Sequence, residues 1–335
     1  MAAFDGARLE NALPSSANEI MAGEEVEGIS ADGIFNKIGN YIKANIRREL
    51  KSALSPVCPI VAAVIICTLA EGFQSKKEFD YVNLAACMFI AIGAFRDVNS
   101  VAAMGRQAVE DMHEFSLVLL PMLSSAAAAA GAVSSAAAKY AATALFLDLM
   151  LSAAEKLLLP LMGAFSAVLL ASAATGDGKL KGVVRLMKWT SKKALICLVS
   201  VFTFYLSVTG IAASGADAAA VKTAKALIGS FVPVVGKMVA GASESLAAGA
   251  GVIRNSIGIF GMGAVIAVCA TPFLVIGLRY LVFKAVASVV SVIAGERLGG
   301  FVDGIGQAYG MLLGLVGITA MFMFISIFSL IRTVV

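Results

Sequence analysis

Charge is scarce in this chain. Lys, Arg, Asp and Glu make up 14% of the 335 residues, against 59% apolar residues and a mean hydropathy of +0.90. A soluble domain carries nearer a quarter charged residues and half apolar ones. There is one histidine, which excludes most histidine-based metal sites. No HExxH, GxSxG, Walker A or CxxC pattern is present, so no catalytic constellation, cofactor or metal is read from the residues. Cys58, Cys67, Cys87, Cys197 and Cys269 all lie inside apolar runs at spacings that match neither a zinc site nor a disulfide framework. They read as small core hydrophobes. The net charge of +4 is too small to suggest a nucleic-acid partner. The N-terminus lacks the apolar core of a signal peptide, so any such segment is read as missing or already removed.

What the chain has in abundance is apolar runs long enough to cross a bilayer. They predict an all-α, polytopic membrane protein with lipid as its solvent; the alternation of an outer-membrane barrel is absent. Met1–Asp32 reads as a flexible polar tail, with Glu24, Glu25 and Glu27 clustered in it. From Gly33 the pattern changes. Ile34, Ile38, Tyr41, Ile42, Ile46, Leu50 and Leu54 recur at helical spacing, with Lys37, Lys43, Arg47, Arg48 and Lys51 between them. Residues 33–55 therefore predict an amphipathic helix on the membrane surface or on a partner protein. Residues 56–335 form the membrane domain.

Within it, Pro56–Phe73 and Tyr81–Phe95 read as the first two spans, followed by an amphipathic stretch, Asp97–Glu114. His113, in that stretch, reads as polar surface. Phe115–Ala138 is rich in Ala, Ser and Gly, which lets helix backbones approach closely. Tyr140–Ala154, Leu157–Ala174, Ala194–Ala213, Ile257–Ile276, Tyr280–Ile293 and Met311–Ile331 complete the apolar runs, with Arg279 in a short link between two of them. Thr175–Lys193 holds six basic residues and one Asp, which places it in the cytoplasm by the positive-inside rule.

Two charges stand inside apolar stretches, Asp148 and Lys284. An intramembrane carboxylate is costly unless paired, so Asp148 is expected to face the bundle interior with Lys284 or Arg254 as its partner.

The order of features recurs. Pro121 and Pro160 are matched by Pro233 and Pro272, each 112 residues later. Leu180, Gly182, Val184, Leu195 and Phe204 are matched by Leu298, Gly300, Val302, Leu313 and Phe322, each 118 later. This predicts an internal repeat with copies at about 108–213 and 220–331. Thr175–Lys193 is basic, whereas Gly295–Gly310 is net negative. Opposite charge predicts opposite sides of the membrane, hence an inverted-topology repeat.

The stretch from Lys222 to Gly251 is the candidate gate or interface. Lys222, Lys225 and Lys237 keep it from spanning alone. Pro233, with Gly229 and Gly236 beside it, breaks a helix where freed carbonyls need partners. Gly241 and Gly249 belong to a small-residue run that admits a neighbouring helix or a second subunit, and so a homo-oligomer.

The run TAKALIGSFVPVVGKM (Thr223–Met238), followed by IRNSIGIFG (Ile253–Gly261), resembles the stage III sporulation protein AE family of endospore-forming bacteria. The likeness extends from about Asn36 to the C-terminus. It implies a multi-pass protein of the mother-cell membrane around the forespore. It further implies a non-enzymatic part in a trans-envelope channel, or feeding tube, needed for late forespore gene expression. The implied partners are other stage III sporulation proteins and stage II sporulation protein Q. A permease-like transporter of a small solute is the alternative that the inverted repeat suggests.

Overall fold

The computed structural model describes residues 6–21, 31–71, 79–129, 133–175, 180–208 and 243–331. Every element among them is a helix: α1 (Gly6–Asn11), α2 (Ser15–Met21), α3 (Ala31–Leu54), α4 (Val57–Glu71), α5 (Phe79–Ala129), α6 (Val133–Ala153), a π-helical turn (Ala154–Leu158), α7 (Leu159–Thr175), α8 (Leu180–Val208) and α9 (Ser243–Ile331). In lipid this is the physical expectation, because a helix satisfies its own backbone hydrogen bonds. Among the described residues, four stretches are long and apolar enough to cross a membrane: Asp32–Ile66, Ala141–Ser172, Asn255–Glu296 and Leu298–Ile331.

The 89 residues of α9 are a hairpin and not a rod. Gly295 interrupts them with φ 78° and ψ 175°, a conformation open to glycine and costly for any residue with a Cβ. The chain then folds back on itself. Ser291 lies against Gly299, Lys284 against Gly306, Tyr280 against Gly310 and Phe273 against Gly317. Each pair is equidistant from Gly295, so the two limbs, α9a (243–294) and α9b (296–331), stay in register. The closest approach is next to the turn. A Cβ on Gly299 would lie 2.6 Å from the Ser291 Cα, so only glycine fits there.

The other helices pack around this hairpin. α5 runs antiparallel to α9a: Gly105 faces Ile276, the Met112 sulfur is 3.6 Å from the Cys269 sulfur, and Leu119 faces Gly261. α3 runs parallel to α9a, with Ile34 against Gly263 and the Tyr41 hydroxyl 2.9 Å from that of Thr271. Its apolar stripe, read from sequence as lying on the membrane surface or on a partner protein, thus puts Ile34 and Ile38 into the core and leaves Ile46, Leu50 and Leu54 exposed. α8 joins α6 through Phe146 stacked on Tyr205 and joins α9b through Phe202 against Phe322.

Several expectations are corrected. Residues 6–21, read as part of a flexible tail, form two short helices with Leu9, Ala17, Ile20 and Met21 buried. Ser16 donates to Asp111 at 2.5 Å, which ties this segment to α5. The span Tyr81–Phe95, the amphipathic stretch and the start of the small-residue run are one 51-residue helix. Ile257–Ile276 and Tyr280–Ile293 are likewise one limb, with Arg279 inside it.

That continuity joins two expected spans into one limb, and the contacts around it do not support the inverted arrangement. Lys188, in the basic stretch, lies within electrostatic range of Asp303, in the acidic one. With Phe202 against Phe322, two ordered contacts show α8 and α9b running in the same direction. The two stretches thus meet at one end of the bundle, and an internal repeat is not shown.

Candidate functional site

Among the described residues, charged side chains that pair between helices fall at three levels, two along the hairpin and one on the outside of α5 and α6. The most buried is at the middle. Arg279 on α9a donates through Nε to both carboxylate oxygens of Asp97 on α5, each at 3.1 Å. Tyr309 on α9b, fully buried, donates its hydroxyl to the same carboxylate at 2.5 Å. The Arg279 Nη2 reaches the Ser52 hydroxyl at 3.3 Å on α3. Four helices therefore meet on one ion pair whose side chains are 10% and 15% exposed. Desolvating two charges is offset only when their remaining donors and acceptors are satisfied, and here Tyr309 and Ser52 supply most of that. The Arg279 Nη1 is buried and has no hydrogen-bond partner, a donor left over in the interior.

The second level lies nearer the turn. Lys284 donates to Asp303 at 2.5 Å, bridging the two limbs, and Gln307 donates to the other oxygen of the same carboxylate. Beside them is a polar cleft of about 560 Å³ lined by Lys284, Ser288, Ser291, Glu296, Gly299 and Asp303. Lys188 approaches it from α8. Burial lowers the Lys188 pKa and neighbouring Lys192 adds to that, while Asp303 acts in the opposite sense.

The third level is on the outside of α5 and α6. His113 Nε2 is 2.9 Å from Asp148 Oδ1, and His113 Nδ1 is 3.8 Å from Glu155 in the π-helical turn. The turn precedes Pro160, whose missing N–H and ring disturb the ordinary ladder one turn earlier, and a π-turn absorbs the mismatch.

These positions revise the sequence reading. Asp148 and Lys284 do not meet: Asp148 pairs with His113 and is 58% exposed, while Lys284 pairs with Asp303. Arg254 lies in α9, and its side chain is outside the described set, as are the surroundings of Gly249. Lys222, Lys225, Gly229, Pro233, Gly236, Lys237 and Gly241 lie outside the described residues. The reading missed Asp97, Arg279, Tyr309 and Asp303. One signal was available, since Arg279 follows a long uncharged run, where an unmatched charge needs a partner.

Among the described residues no group of three or more His, Cys, Asp or Glu could hold a metal ion. A family model described as Stage III sporulation protein AE matches residues 15–333. The chain belongs to that family. A curated relative, "Stage III sporulation protein AE" of Bacillus subtilis (strain 168), is 22% identical over 267 residues, covering 80% of this chain and 67% of the relative. No solved structure gives a significant match. The stage III sporulation protein AE family match takes in all three polar levels and both limbs of the hairpin.

Proposed function

We propose that this sporulation protein is a non-enzymatic, integral component of a trans-envelope channel between mother cell and forespore. In this reading it sits in the mother-cell membrane facing the forespore and supports late forespore gene expression. It works there with other stage III sporulation proteins and stage II sporulation protein Q. The observation that carries the reading is the family match over residues 15–333, on a chain whose four apolar stretches suit a membrane. The inverted repeat that suggested the permease alternative is not shown.

The reading is tested by removing the protein from its own host and assaying a late forespore reporter together with pull-down of the named partners. The expected result is loss of the reporter after normal engulfment, with the partners co-purifying through the tagged wild-type protein. Normal reporter activity in the deletion strain would sink the channel role. Solute flux by the purified protein alone in liposomes would favour a transporter instead.

A further inference from the structure

The outer surface of α5 changes character at Asp97, the residue that pairs with Arg279. Before it, on the side of the hairpin turn, α5 exposes Met88, Phe89, Ile92 and Phe95. After it, alongside Ile276 and Cys269 of α9a, the same helix exposes Asn99, Ser100, Arg106, Gln107 and Glu114. The stretch formed by α3 and α4 changes at the same level, because Ser52 also meets Arg279. Lys43, Arg47 and Arg48 are exposed before Ser52, and Val61, Ile65 and Leu69 after it.

α8 makes the change in the opposite sense. α7 brings the chain to the neighbourhood of the turn, where Leu169 lies against Gly304. α8 starts five residues after α7 ends and runs away from the turn to place Phe202 against Phe322. Its first half exposes Lys181, Arg185, Lys192 and Lys193. Its second half exposes Ile196, Val199, Val201 and Phe204, and α9b adds Met321 and Phe328 on that part of the surface. Trp189 is exposed just before the change, as suits a headgroup boundary.

A bilayer lying square across the bundle cannot serve both flanks. Beside the turn it would give Ile92 its lipid but immerse Arg185. Away from the turn it would cover Phe204 but immerse Arg106. A charged side chain at acyl-chain depth is costly. We propose that acyl chains cover an oblique belt, over α4 and the start of α5 beside the turn and over the end of α8 and α9b away from it. The Arg279–Asp97 pair then lies near mid-depth. The bundle is tilted toward the upper end of the roughly 0–40° range of spanning helices. The basic residues of α3 and those of α8 lie at opposite surfaces of the membrane.

Spin labels test the belt at four exposed positions, Ile92→Cys, Arg106→Cys, Arg185→Cys and Phe204→Cys. Each is made in the full chain with native cysteines replaced and reconstituted in phosphatidylcholine–phosphatidylglycerol bilayers, after thermal unfolding has confirmed the fold. Relaxation by oxygen, which concentrates in lipid, is compared with relaxation by a water-soluble nickel chelate. Oxygen should dominate at Ile92 and Phe204, and nickel at Arg106 and Arg185. The same dominant relaxant at Ile92 and Arg185, or at Arg106 and Phe204, would overturn the oblique belt. Sidedness is the second readout. An impermeant maleimide should label Arg106→Cys in right-side-out or in inverted vesicles but not in both, and Arg185→Cys in the other kind. Labelling of both from one side would overturn the tilt and assign the polar face of α5 to a water-filled path through the membrane.

Discussion

Arg279 lies side-on to Asp97, with its Nε 3.1 Å from both carboxylate oxygens, and through this pair the hairpin grips α5. Removing either partner leaves an uncompensated charge in the interior. Arg279→Gln is expected to destabilise the fold by about 3–5 kcal/mol. The check is thermal unfolding in detergent together with the amount of protein accumulating in the membrane. Asp97→Leu/Arg279→Met, which removes both charges, should recover more than half of the loss. A single variant that melts like the wild type would show that the pair carries no weight.

The turn is the second point of vulnerability. Gly295→Ala keeps the composition apolar but places a Cβ at φ 78° and ψ 175°, at a cost of about 1–3 kcal/mol. Gly299→Leu should be more severe, because its side chain would have to enter the space of the Ser291 backbone. The ranking Gly299→Leu below Gly295→Ala below wild type, in melting temperature, is the measurement. Equal temperatures for all three would mean that the limbs part without penalty.

Packing of α8 beside α9b predicts a cross-link. In a chain with its native cysteines replaced, Lys188→Cys and Asp303→Cys should be joined by a short bifunctional maleimide in intact membranes. Lys188→Cys paired with Gly258→Cys, at the far end of the hairpin, should not be joined. The reverse pattern would restore the opposite-face arrangement that charge alone suggested.

The stretch from Lys222 to Gly251 yields a prediction from chemistry alone. Gly236→Leu and Gly249→Leu should abolish late forespore gene expression while the protein still accumulates in the membrane, because bulk would block close approach by a neighbouring helix or subunit. Normal sporulation in both variants, or disappearance of the protein, would reduce the segment to packing.

The class of the protein was written in its composition. With so little charge and such long apolar runs, only helices crossing or lining a membrane satisfy the backbone, and nothing in the structure alters that. The helical stripe of α3 was also legible, because a 3.6-residue period shows in the spacing of Ile34, Ile38, Tyr41 and Ile42. Which surface that stripe met was not legible, since a protein core and a lipid interface ask for the same side chains. Likewise, charge order along the chain suggested that Thr175–Lys193 and Gly295–Gly310 face opposite sides. Whether Ile257–Ile276 and Tyr280–Ile293 were two spans or one depended on whether Arg279 ends a helix or sits within one. Tertiary structure decided that question: Asp97, 182 residues away in sequence, supplies the carboxylate that lets a guanidinium stay inside the limb. The same holds for Asp148 and Lys284. Each needed a partner by the cost of burying charge, but the partners, His113 and Asp303, were chosen by which helices lie side by side.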